Sequence, residues 1–132
     1  MKHLQKIVAA SALAFAFSGL AQAADLKIGL IVPMSGPFAS HGKQITNGIK
    51  LYLAQNGDTI AGRKVQIILK DDSPGTAGDA TRRRAQELIV QDNVDILTGF
   101  SLTPEAFTVA PLATEAKKPM VVMNAATSAI TT

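Results

Sequence analysis

Beyond its first 23 residues the chain alternates short apolar runs with segments of helical period. Residues 26–32 (LKIGLIV), 65–69 with Lys70 as an extension, 94–98 and 120–123 are short apolar stretches, largely Ile, Val and Leu. Continuous runs of this kind read as strands buried on both faces. Residues 43–55 place Ile45, Ile49, Leu51, Tyr52 and Leu53 at the spacing of an amphipathic helix, stopped by Asn56-Gly57. Residues 76–91 predict a second helix with Ala77, Ala80, Ala85, Leu88 and Ile89 inward. Pro104 suits the first turn of a third helix, which runs to Ala116 with Ala106, Val109, Ala110 and Ala113 inward and Pro111 as a point of kinking. Residues 60–64 form a tight turn into the second strand, and 71–75 (DDSPG) a second turn. The order is β-α-β-α-β-α-β. It predicts an α/β fold built on a doubly wound parallel sheet, order 2-1-3-4, with right-handed crossovers.

The first 23 residues follow a different pattern. Lys2, His3 and Lys6 precede an uncharged run, Ile7 to Phe17, and Ala21-Gln22-Ala23 supplies small residues for a peptidase. This is the pattern of a secretory signal peptide (1–23), cleaved after Ala23. The apolar run falls well short of the roughly 20 residues of a spanning helix. Export to the periplasm is the expectation, with 24–132 as one small domain. Two of the 13 Lys and Arg residues and none of the 10 acids lie in this leader, which leaves eleven bases against ten acids. The basic pI near 9.4 therefore belongs largely to the leader and does not argue for a nucleic-acid partner. No cysteine is present, so no disulfide staples the chain.

In open parallel sheets, ligands bind beyond the carboxyl ends of the strands where the strand order reverses. For order 2-1-3-4 that point lies between strands one and three. The loops there, 33–42 (PMSGPFASHG) and 99–103 (GFSLT), carry glycine and hydroxyls at Ser35, Ser40, Ser101 and Thr103. Small side chains let a carboxylate reach backbone N–H groups near a helix start. Ordinary βα turns need the same residues, so composition alone leaves both readings open.

The stretch LKIGLIVPMSGPFASHGKQITNGIKLYL resembles the start of mature periplasmic binding proteins of the leucine/isoleucine/valine type, the type I solute receptors of ABC importers. VQIILKDDSPGTAGDATRRRAQELIVQDNVDILTGF resembles their second strand, acidic turn, helix and third strand. SLTPEA and MVVMNAAT resemble their two hydroxyl-bearing loops. The resemblance covers essentially all of 24–132 and implies the first part of lobe one of such a receptor. It implies a small-molecule ligand, an amino acid of the branched-chain type or a related aliphatic or aromatic carboxylate, and a membrane permease as partner. His41 stands where the family packs a side chain, often aromatic, on the ligand. Ser101 and Thr103 match groups that hold its carboxylate. Ala125 and Thr127, with Ala126 between them, match a loop that binds its carboxylate and ammonium. The resemblance also implies a second lobe, of which nothing is present. The chain is therefore expected to be a truncated or incomplete product that binds weakly or not at all on its own.

Other readings carry less. Asp71-Asp72 has no third ligand for a metal and reads as a solvated turn. His41 has no second histidine or cysteine to join it beyond the leader. Arg82-Arg83-Arg84 reads as a solvated helix face, with Glu87 placed to pair with Arg83. The chain lacks G-x-G-x-x-G after its first strand, G-x-x-x-x-G-K-[ST] and G-x-S-x-G, so neither catalysis nor a cofactor is expected. A ligand-sensing domain of a receptor or regulator of the same fold is the alternative function; a small exported α/β enzyme is a more distant one.

Overall fold

The computed structural model describes residues 23–72 and 78–130. The proposed leader up to Gln22, positions 73–75 of the acidic turn and the predicted start of the second helix at 76–77 lie outside them. Five strands and three helices follow in order: β1 (Leu26–Val32), α1 (Ala39–Asn56), β2 (Thr59–Ile60), β3 (Arg63–Asp71), α2 (Asp79–Val90), β4 (Ile96–Gly99), α3 (Thr103–Glu115) and β5 (Met120–Val122). A single 3₁₀ turn, Ser128–Ile130, closes the described chain.

The sheet order is β2-β3-β1-β4-β5. The four predicted strands stand in the expected order and are all parallel, with Leu26 opposite Val65 and Ile28 opposite Ile96. The turn predicted at 60–64 is a small hairpin. Thr59–Ile60 pairs antiparallel with β3, and Ala61 and Gly62 turn the chain at positive φ. The sheet is therefore mixed at one edge.

Side chains alternate across the sheet. On one face Ile31 and Leu97 pack with Ala85 and Leu88 of α2 and Ala106, Val109 and Ala113 of α3. These helical positions include most of those predicted to face inward; Ala80 and Ala110 are half-buried. On the other face, among the described residues, α1 lies over the sheet alone. Ile45, Ile49 and Leu53 are half-buried there, while Leu51 and Tyr52 are exposed. Between α1 and the sheet runs an open apolar cleft of about 540 Å³, lined by Ile28, Ile49, Leu53, Ile67, Val121 and Met123. Among the described residues no helix is long and apolar enough to cross a membrane.

Candidate ligand-binding site

β1 is central, and the chain leaves it in two directions, first to β3 and then across to β4. The carboxyl ends of β3, β1, β4 and β5 share one edge, because the four strands are parallel. That edge is the crevice the topology offers a ligand.

The loop after β1 is tied to the end of β3. The Met34 N–H donates to Asp71 Oδ1 at 2.9 Å and the Ser35 hydroxyl to Asp71 Oδ2 at 3.3 Å. Four residues of the predicted loop belong to α1, which begins at Ala39. His41 therefore stands in a helical first turn and not on a loop. Its N–H donates to the Phe38 carbonyl at 2.9 Å, and the two rings lie 5.7 Å apart with a 42° tilt. His41 Nδ1 is buried without a partner among the described residues.

The loop after β4 is held in an unusual conformation. Gly99 has φ 113°, and a Cβ there would meet the Ile31 carbonyl oxygen at 2.0 Å. Phe100 is fully buried at φ 63°, a region that bulky residues rarely adopt. Its N–H donates to the Ile31 carbonyl at 3.0 Å, and its own carbonyl accepts from Ala125 N at 3.1 Å. Ser101 follows, 3% exposed, with its Oγ unpartnered among the described residues. Thr103, half-buried, opens α3.

The loop after β5 is stapled to that segment. Met123 N donates to the Gly99 carbonyl at 2.9 Å, and Asn124 Nδ2 to the Ser101 carbonyl at 3.1 Å. Thr127 Oγ1 accepts the Ala129 N–H at 3.3 Å, so part of its hydrogen-bonding capacity is used within its own turn. Ala125 is half-buried and Ala126 exposed. The structure thus joins Ser101 to the Asn124–Thr127 loop and holds His41 on a separate element beyond β1. Asn124 was not among the residues expected from sequence. Its role depends on a contact 23 positions away.

The acidic turn differs from expectation. Asp71 is the last residue of β3 and a hydrogen-bond acceptor for the first loop, and Asp72 is only 4% exposed. The strand runs farther than its apolar residues do, to Asp71. Glu105, in the first turn of α3, is itself 6% exposed. Burial, and then the charge of Glu105, pushes the Asp72 carboxyl up to about 7. Glu105 Oε2 accepts the Leu102 N–H at 2.9 Å and so caps α3 from within; the leucine side chain cannot return the bond. Among the described residues no group of three or more His, Asp or Glu is placed to hold a metal ion.

The model of the periplasmic binding protein family matches residues 25–132. A Leu/Ile/Val-binding protein homolog 6 of Brucella abortus (strain 2308) is 39% identical over 130 residues, which cover 98% of this chain and 33% of that protein. A solute binding protein of an ABC transporter from Rhodopseudomonas palustris BisB5, solved with 3,4-dihydroxybenzoic acid, is 56% identical at TM-score 0.77, over 82% of this chain and 29% of that one. A counterpart from R. palustris HaA2, solved with p-hydroxybenzoic acid, is 47% identical at TM-score 0.75, over 81% and 29%. The chain thus spans about a third of the length of the curated relatives it matches.

Proposed function

This chain belongs to the periplasmic binding protein family, and from that premise we propose that it contributes one wall of the ligand cleft of an ABC importer's solute receptor. The receptor works in the periplasm and hands its cargo to a membrane permease. The ligand is a small carboxylate, and the hydroxybenzoate class is favoured over branched-chain amino acids. The two solved relatives at 47% and 56% identity hold hydroxybenzoic acids, whereas the relative named for leucine, isoleucine and valine is 39% identical.

The observation that carries the reading is the Ser101 hydroxyl. It is buried and has no partner among the described residues, and it sits one residue before the cap of α3. A buried hydroxyl without a partner is costly, and a ligand carboxylate would satisfy it. The start of α3 adds the positive end of a helix dipole. In this reading Ser101 and Thr103 hold the carboxylate, and the backbone of Ala125 and Ala126 with the Thr127 hydroxyl lines the far side. The His41 ring, backed by Phe38, packs on the aromatic body of the ligand.

Amide NMR of the chain, titrated with 4-hydroxybenzoate, 3,4-dihydroxybenzoate, leucine and isoleucine, tests this. One wall of a cleft should bind at millimolar levels, with shifts confined to His41, 100–103 and 124–127 for the aromatic acids. Larger shifts from leucine would refute the ligand class. Shifts confined to the apolar cleft under α1 would refute the site.

A further inference from the structure

The chain enters the fold through a set of hydrogen bonds that the ligand reading does not use. Ala23, Ala24 and Asp25 are exposed and run without regular structure into β1. The guanidinium of Arg63, the first residue of β3, reaches back to them. Its Nε–H donates to the Ala24 carbonyl at 2.7 Å. Its Nη2 donates to the Asp25 carbonyl at 2.7 Å and to Asp95 Oδ2 at 2.8 Å. Asp95 Oδ2 also accepts the Lys27 N–H at 2.9 Å, and the Asp95 N–H donates to the Lys27 carbonyl at 2.8 Å. Arginine suits this place because its planar fork presents several donors in fixed directions. We propose that Arg63 is a clasp on the first two residues after the leader, and that its closure withdraws the Ala23–Ala24 bond from a signal peptidase.

An endopeptidase holds the residues on both sides of the bond it cuts as an extended strand against its own backbone, so their carbonyls and N–H groups must be free to turn to the enzyme. Hydrolysis then adds water across the bond. The Ala23 carbonyl carbon gains the water oxygen and becomes a carboxylate. The Ala24 nitrogen keeps the electron pair of the broken bond, takes both water protons and becomes an ammonium. In the folded chain the first carbonyl held by Arg63 belongs to Ala24 itself, directly after that bond. Two residues farther on β1 begins, with Leu26 opposite Val65. The bond faces water, but its flank cannot leave the sheet edge without breaking charge-assisted hydrogen bonds. Exposure alone does not admit a protease; local opening does. The order of events follows. The leader is cut while β1 and β3 are apart, and Arg63 then closes on the new amino terminus. A chain that folds first keeps its leader.

The clasp rests on the cleavage site expected after Ala23 and not on the ligand reading. The full chain is the substrate, either diluted from urea directly into a detergent solution of a signal peptidase or allowed to fold beforehand, with the products identified by mass spectrometry. The unfolded chain should lose residues 1–23 promptly, and the folded chain at least about tenfold more slowly. Arg63→Ala, folded beforehand, should be cut nearly as fast as the unfolded chain. Arg63→Lys should fall between, since one ammonium cannot serve three acceptors in fixed directions. Gly42→Ala strains the fold at α1 and leaves the clasp alone, so it should stay resistant. Amide exchange along β1 identifies the variants that are folded; if Arg63→Ala is not, Arg63→Lys carries the comparison. Equal rates for folded and unfolded chain, a folded Arg63→Ala that resists, or a Gly42→Ala cut as readily as the arginine variant each overturn the clasp. An unfolded chain that is not cut after Ala23 overturns the leader reading and the clasp with it.

Discussion

Gly99 and Phe100 together set where Ser101 stands. Gly99 is at φ 113°, with Ile31 O only 2.0 Å from where a Cβ would be. No L side chain is comfortable there, and the clash is with backbone, which cannot rotate away. Gly99→Ala should cost at least about 2 kcal/mol by urea denaturation, from strain and overlap together. It should also abolish whatever ligand response the 100–103 amides show. A full response in a stable Gly99→Ala chain would mean that this turn does not position the site. The glycine and the hydroxyls were legible as a small-residue loop. The burial of Asp72 was not, because adjacent aspartates after an apolar run look the same whether the strand stops before them or carries them under a helix. Asn124 and the orphaned state of Ser101 Oγ were illegible for a related reason: each is defined by a partner, present or missing, from another loop.

The elements were read well where burial fixes them and poorly where a single close contact does. The strands form around their apolar runs, with shifted ends: β3 extends beyond its run on both sides, from Arg63 to Asp71, and β4 begins at Ile96, two residues after its run does. α1 begins at Ala39, four residues earlier than its apolar spacing implied. Its first turn is stabilised by tertiary fit: Gly42 is buried, and a Cβ on it would lie 2.0 Å from the Pro33 carbonyl. In a run of Pro, Gly and Ser such a glycine looks like any loop glycine. Gly42→Ala should cost about 1–3 kcal/mol by overpacking and should lower hydrogen-exchange protection at the start of α1 more than at its end. Uniform loss would assign the effect to global stability alone. Glu87 also pairs differently from expectation, with Arg84 at 3.1 Å and Lys70 at 3.6 Å, and not with Arg83. At the amino ends of β1 and β4, Asp95 Oδ2 accepts the Lys27 N–H at 2.9 Å and an Arg63 N–H at 2.8 Å. The Lys27 N–H first, and Arg63 after it, hold the Asp95 carboxyl below its usual range. A depressed carboxyl contributes stability above its unfolded value, near 4, and that contribution is lost as pH falls through the lower folded value. Asp72 acts in the opposite sense. Its contribution is full below about 4 and is lost as pH rises through about 7. Asp95→Asn should therefore flatten the acid limb of a stability–pH curve, and Asp72→Asn the limb near neutral. Exchange of the two effects would contradict the geometry.

At the scale of the molecule the two faces of the sheet are unequal. One is closed by α2 and α3 over a core in which Leu88, Leu97 and Phe100 are fully buried. Among the described residues the other has α1 alone, and Val121 and Met123 are each about half exposed beside the cleft of about 540 Å³. A sheet face of this kind, next to a strand that is outermost among the described residues, tends to find a cover. A copy of the same chain can serve, because the face is apolar. The chain should therefore bind a dye such as ANS at neutral pH and sediment as a concentration-dependent mixture above a monomer. Val121→Lys with Met123→Lys should reduce both effects. The pair should leave the α2–α3 face folded, since both side chains lie outside its core. That split is the decisive part of the measurement. If the double variant unfolds the whole sheet, the open face is part of the core and not an uncovered surface. If the unaltered chain is monomeric and dye-free at high concentration, α1 alone is cover enough. In the expected case the closed face supports the loops of the proposed site, and the open face governs whether the chain stays in solution.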